Sequence, residues 1–178
     1  MGKNRQGLLH IYCGDGKGKT SAAVGMAVRA AGCGMKVLVI RFLKTENSGE
    51  VEVLRSIPGI TVPPCERTFG FVFRMTEEQK QEAALYYQSR FGAAAKKAVQ
   101  GQYDLLILDE ILASCNYGMV RETSVVEFLQ NRPEKLEVVL TGRNPSETFL
   151  ELADYVSEIC MRRHPYEKGI PARRGIEF

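Results

Sequence analysis

The stretch C-G-D-G-K-G-K-T-S-A-A, Cys13–Ala23, decides how this chain is read. A short apolar run, Leu8–Tyr12, leads into it, and small apolar residues at helical spacing (Ala23, Met26, Ala27, Ala30) follow it. Strand, glycine-rich turn and helix are the setting of the phosphate-binding loop G-x-x-x-x-G-K-[ST]. The spacing here is one residue short: counting back from Gly18 lands on Cys13, and the first glycine stands at Gly14. The chemistry tolerates the shift. Gly14, Gly16 and Gly18 let successive backbone N–H groups converge on an anion. The next helix adds the partial positive charge of its N-terminus. Lys19 brings a full charge, and Thr20 offers a hydroxyl to Mg²⁺. Lys17 is a second cation, and Asp15 and Ser21 complete a candidate ATP-binding stretch, Gly14–Ser21.

Further along, strand-like and helix-like segments alternate. Lys36–Phe42 is an almost continuously apolar run, as expected of a strand covered on both faces. Residues 43–75 are the least regular, with a polar loop, a short helix in "VEVLRSI" and a short strand in "GITV". Thr76-Glu77-Glu78-Gln79 matches a capping box, and the helix it opens runs to about Gln100, where Gly101 ends it. Tyr103–Glu110, "YDLLILDE", reads as a buried strand ending in two acids. A helix is expected within Arg121–Asn131 and a strand at Leu136–Gly142. Asn144-Pro145 reads as N-cap and first helical position of a further helix, and "YVSEICM" as a last strand. The alternation predicts an α/β fold of P-loop (RecA-like) type: three layers, a mostly parallel sheet covered by helices on both faces. Residues 1–178 read as one domain, with a short arm at 1–7 and an irregular basic tail at 164–178. Ligands in such folds bind at the C-terminal ends of the strands. Three candidate sites fall there: the glycine loop, Asp109-Glu110, and Thr141-Gly142-Arg143.

Asp109 and Glu110 strengthen the loop reading, because an acid closing a buried strand is the usual Mg²⁺ partner in phosphoryl-binding sites. Thr20, Asp109 and Glu110 are therefore the candidate metal ligands, for Mg²⁺ or for Mn²⁺ in its place. The bulk numbers narrow the rest. A chain of 178 residues, 44% apolar and 25% charged, is neither disordered nor low-complexity. A net charge of +3, spread along the chain, is no nucleic-acid footprint. No apolar run approaches the roughly 18 residues of a membrane span. "MGKNRQG" is too short and polar for a signal peptide. The five cysteines show no C-x-x-C, and with two histidines there is no zinc spacing. Free thiols in a reducing, cytoplasmic protein are expected.

A phosphate loop serves kinases, hydrolases, switches and ligases alike. The ordered blocks of this chain are more specific. "GDGKGKTSAA" (Gly14–Ala23), "VRAAGCGMKVLVIRFLK" (Val28–Lys44), "GFVF" (Gly70–Phe73), "YDLLILDE", "VVLTGR" (Val138–Arg143), "LELADYVSEI" (Leu150–Ile159) and "GIEF" (Gly175–Phe178) resemble, in order and approximate spacing, the P-loop-type ATP:corrinoid adenosyltransferases. That family's shortened loop accounts for the displaced glycine. The resemblance implies transfer of the 5′-deoxyadenosyl group of ATP to the Co(I) centre of a reduced corrinoid, with release of triphosphate, in adenosylcobalamin biosynthesis or salvage. It makes ATP and corrinoid the substrates. It also implies electrons from a reductase or reduced flavoprotein, and a homodimer. Lys19, Thr20 and Glu110 become the catalytic set, and Arg29 and Arg143 candidate nucleotide contacts. Phe71 and Phe73 align with a Phe and a Trp that occupy the lower face of the corrin; this chain has no tryptophan. Read alone, Phe69, Phe71 and Phe73 form an alternating core strand, whereas the flanking glycine and prolines suggest a loop. Arg173 and Arg174 are candidates for the corrinoid's acidic groups or the triphosphate, and His10 and His164 have no partner visible in sequence. Only about seven residues precede the first strand, whereas many members carry a longer extension over the active site. Two other readings stay open on the residues: another P-loop kinase or NTPase, and an ATP-gated corrinoid-binding protein without turnover.

Overall fold

A computed structural model of the protein describes residues 6–70 and 72–177. The elements in chain order are β1 (Leu9–Cys13), α1 (Lys19–Gly32), β2 (Val37–Arg41), α2 (Glu50–Ser56), β3 (Ile60–Thr61), α3 (Glu77–Gln100), β4 (Leu105–Asp109), α4 (Ile111–Asn116), α5 (Glu122–Gln130), β5 (Glu137–Thr141), α6 (Glu147–Leu152) and β6 (Tyr155–Glu158). The strands form one parallel sheet in the order β3-β2-β4-β5-β1-β6. The phosphate-loop strand β1 is thus separated from β4, which ends in Asp109, by β5 alone.

Strand side chains alternate between two cores, as the period of two demands. Leu38, Ile40, Leu106, Leu108, Val138 and Leu140 pack with residues of α3, α4, α5 and α6. Their neighbours Val37, Val39, Leu105, Ile107 and Val139 pack with α1 and α2. α1 meets the sheet through Ala23, Ala27 and Ala30, small residues that let the helix seat closely behind the loop. The expected three-layer α/β architecture is what these two cores produce. Among the described residues no helix is long and apolar enough to cross a membrane.

The capping box opens α3 as expected. Thr76 Oγ1 accepts from the Gln79 N–H at 3.3 Å, and Gln79 Oε1 accepts from the Thr76 N–H at 2.9 Å. Two expectations need correction. The cap of α6 is Ser146, whose Oγ accepts from the Phe149 N–H; Asn144 instead takes a left-handed turn, φ 47°. Proline favours the first helical position, but here the hydroxyl at Ser146 offers the helix a bond that Asn144 does not. The phenylalanine segment does not form a core strand. Residues Val72–Arg74 make a single 3-10 turn with Phe73 79% exposed, so the loop reading holds for Phe73. Phe69 is half-buried against Tyr86 and Tyr87. Phe71 lies outside the described residues.

Candidate active site

The C-terminal ends of β1, β2, β4 and β5 open onto one cleft of about 720 Å³. Its floor is residues Asp15–Ser21, and Lys44, Glu110 and Arg143 stand around it. The loop is built against the segment that follows β6. Gly14 has φ 101°, and a β-carbon there would meet the Ile159 carbonyl oxygen at 2.4 Å. The Gly16 N–H donates to that same carbonyl at 2.7 Å. The expected nest of converging amides is therefore interrupted at Gly16, whose N–H points away from the cleft to hold the loop down. The first turn of α1 offers further amides to an anion. Its first intrahelical bond runs from Ala22 N–H to Gly18 O, so the N–H groups of Lys19, Thr20 and Ser21 have no partner within the helix.

Lys19 is buried, and its Nζ donates to Gly16 O at 2.8 Å. Burial lowers its pKa, and the Glu110 carboxylate opposes that shift. Asp15 lines the cleft, but its carboxylate accepts from the Met161 N–H at 2.8 Å, which lowers its pKa. It braces the loop from behind. Arg143 is exposed at the rim, with Nη2 3.4 Å from Asp15 O. Lys17 is exposed and also lines the cleft. Arg29 does not. It sits in the last turn of α1, roughly 15 Å along the axis from Lys19 by the helical rise, exposed and beside the negative end of the helix dipole.

Asp109 is the centre of a network that joins three strand ends. Thr20 Oγ1 donates to its Oδ1 at 3.0 Å, and Thr141 Oγ1 to the same oxygen at 2.7 Å. Lys44 Nζ lies 3.1 Å from Oδ2 and donates to Thr20 Oγ1 at 3.0 Å. Oδ2 is buried and accepts no hydrogen bond; its partner is the Lys44 ammonium, as an ion pair. Glu110 follows in a left-handed conformation, φ 62°, that turns the chain into α4. Its N–H donates to Thr141 Oγ1 at 2.8 Å. Burial and the Asp109 charge raise the pKa of Glu110, against Lys44, Lys19 and Arg143.

The sequence reading placed Thr141 at the site as part of Thr141-Gly142-Arg143 but did not find Lys44. It brought the tail to the site through Arg173 and Arg174, but not through His164, Gly175, Ile176 and Glu177, which wall one side of the cleft. Arg173, a candidate for an anionic ligand, is paired with Glu177 at 3.0 Å. His10, with no partner visible in sequence, lies 2.5 Å from the Glu137 carboxylate.

The loop after β2 is fixed by a second charge cluster. Arg41, fully buried, bonds Thr45 O at 2.7 Å and pairs with Glu46 at 2.5 Å. Glu46 also pairs with Arg55 at 2.8 Å and accepts from the Cys65 N–H at 2.5 Å. Burial pushes the Glu46 pKa up, but the Cys65 and Arg55 hydrogen bonds and the Arg41 charge outweigh it and hold the group at about 2, against an ordinary 4.5. The unfolded chain therefore takes up this proton first as pH falls. The stabilisation is full above pH 4.5 and is lost progressively towards pH 2. After solvent screening at this partly exposed carboxylate, it amounts to about 1–2 kcal/mol at neutral pH. Glu46→Gln should lower stability at pH 7 by that amount and flatten the acid limb; denaturant titrations at pH 7 and pH 3 check it.

The comparison with known proteins agrees with this site. The sequence profile of the ATP:corrinoid adenosyltransferase BtuR/CobO/CobP family matches residues 5–178. The corrinoid adenosyltransferase of Pseudomonas aeruginosa is 32% identical over 99% of this chain and 86% of its own length. That of Escherichia coli K12 is 32% identical over 99% of the chain and 88% of its own length. The CobA enzyme of Salmonella typhimurium is 30% identical over the same shares. Phosphate loop, strand-end acid and full-length likeness together make this chain a member of the ATP:corrinoid adenosyltransferase family.

Proposed function

We propose that ATP lies in the cleft with its triphosphate against Lys17, Lys19, Arg143 and the free amides of Lys19, Thr20 and Ser21. From there its 5′-deoxyadenosyl group passes to the Co(I) centre of a reduced corrinoid. The observation that carries this reading is that Lys19 and Thr20 share one cleft floor and that Thr20 is bonded to the buried Asp109 beneath it. The attacking electron pair is cobalt's own, the C5′–O bond breaks, and its electrons leave on triphosphate. No side chain need become a nucleophile. What the protein supplies is alignment of C5′ with cobalt and fixed positive charge for the leaving group. Gly14 and Gly16 contribute by letting the loop lie flat against Ile159. Glu110, half-buried near Lys19, helps fix that cation's orientation.

The residues fit a divalent cation. Asp109 Oδ2 is a buried oxygen without a hydrogen bond, next to the Thr20 hydroxyl. Among the described residues no group of three or more His, Cys, Asp or Glu converges to form a metal cage. Mg²⁺ is commonly held by one or two carboxylates plus substrate phosphates. Thr20, Asp109 and Glu110 would hold Mg²⁺, or Mn²⁺ in its place, and the ion would supply further charge neutralisation to the triphosphate. Phe73, exposed in its turn, and Phe71 are assigned to the lower face of the corrin. There an apolar wedge removes the lower axial ligand and makes reduction to Co(I) easier, since axial ligands set a metal's potential. A reductase or reduced flavoprotein delivers the electrons, and the enzyme works as a cytoplasmic homodimer. Arg29 has no part in this arrangement.

The test is an anaerobic assay with ATP, Mg²⁺ and chemically reduced cobalamin, following the corrin spectrum and identifying the phosphate product. Adenosylcobalamin with equimolar triphosphate is the expected result. ADP or orthophosphate with an unchanged corrin spectrum would instead identify a kinase or hydrolase, and binding without turnover a carrier.

A further inference from the structure

We infer that Lys44 is a place-holding cation, whose ammonium and the divalent metal ion occupy the space between Thr20 and Asp109 in turn and never together. The inference rests on the reading of Thr20 and Asp109 as metal ligands. A buried carboxylate without a countercharge is costly. Asp109 is 2% exposed, and the cation beside it is Lys44, 3.1 Å from Oδ2. The same ammonium bonds Thr20 Oγ1 at 3.0 Å. It therefore spans the two oxygens that would hold the metal.

The backbone shows that this lysine is aimed there. On one side, Phe42 N–H is bonded to Asp109 O at 2.9 Å, which ties the end of β2 to the end of β4. Leu43 then turns through φ 52°, a conformation that a branched, non-glycine residue adopts only when its surroundings impose it. On the other side, the carbonyl of Thr45 is held by the buried Arg41. Pinned before and after, residue 44 projects into the cleft, and its side chain is only 22% exposed.

Two consequences follow. A bare divalent ion must displace a paired ammonium and so binds weakly. A nucleotide brings phosphate oxygens into the same cleft, gives Lys44 a new anionic partner, and frees the metal position. Metal and nucleotide then promote each other's binding, and that coupling is reciprocal.

The experiment measures Mn²⁺ binding to the nucleotide-free protein through the electron paramagnetic resonance signal of the free ion. Wild type is compared with Lys44→Met, Lys44→Gln and Asp109→Asn, each checked for folding by its thermal melt. Lys44→Gln keeps a hydrogen-bond donor for Thr20 without the charge, so it serves if the methionine variant is unstable. Loss of the competing ammonium should tighten Mn²⁺ binding about tenfold in both Lys44 variants, in line with one nearby charge in a partly buried site. Asp109→Asn should weaken it. If the Lys44 variants bind Mn²⁺ no more tightly than wild type while Asp109→Asn weakens binding, the place-holding role is wrong and the metal site stands. If Asp109→Asn leaves Mn²⁺ binding unchanged, the metal assignment falls, and this inference with it.

Discussion

Lys19→Ala should lower kcat/KM for adenosyl transfer by about 10³-fold, the scale on which a preorganised donor to developing charge is lost. Two losses combine. The ammonium is buried, so its charge acts on the leaving triphosphate with little screening by water. It is also the group that closes the loop on itself through Gly16 O, and without it the loop loses part of its shape before ATP arrives. The exposed Lys17 provides the internal control: Lys17→Ala should cost about tenfold, because a solvated charge is worth far less. Steady-state rates with reduced cobalamin, over a range of ATP concentrations, check both. A Lys19→Ala enzyme that stays within a few-fold of wild type would mean that the triphosphate does not sit on the floor of the cleft.

The second large effect is expected at the displaced glycine. Gly14→Ala puts a β-carbon 2.4 Å from a backbone carbonyl oxygen, at a φ of 101° that side chains rarely tolerate. Neither partner is the end of a flexible chain, so the loop or the segment after β6 must move. Positive φ and overpacking together should cost roughly 3 kcal/mol, or a fall in Tm of about 10 °C for a chain of this size. ATP affinity should fall with it. Gly25→Ala, on α1 with open space around its β-position, should leave Tm unchanged or slightly raised. Calorimetry of the two variants separates a generic glycine-to-alanine effect from the close approach at Gly14.

The strand-to-helix order, the two-sided sheet and the phosphate loop were legible because each rests on a local signal: apolar runs, glycines, a capping box. The misses have physical causes too. α4 spans only Ile111–Asn116 and begins at Glu110 in a left-handed conformation with no side-chain cap, so it leaves neither a periodic nor a capping signature. Asn144-Pro145 carries a strong start signal, yet Ser146 wins by bonding both Phe149 N–H and the Glu122 carboxylate. Half of the candidate site was visible as motif residues, Lys19, Thr20 and Asp109. Lys44 was not, because it reaches Asp109 across the sheet and only the pairing of β2 with β4 brings it there; Thr141 was visible at its strand end, but its bond to Asp109 was not. Arg29 is the converse case: close to the loop in sequence, it is carried away from it by the length of α1.

β6 has one neighbour, β1, and all four of its residues are exposed. It is an edge strand, and the segment directly after it carries the Ile159 carbonyl that anchors the Gly16 N–H and the Met161 N–H that anchors Asp15. Segments with few buried apolar contacts open before the core of a native protein does. The floor of the candidate site is thus fastened to an exposed edge of the sheet, so that fraying there should loosen the phosphate loop as well. By the same linkage, a nucleotide bound in the cleft should act as a clasp on β6 and protect that strand and the segment after it from proteolysis.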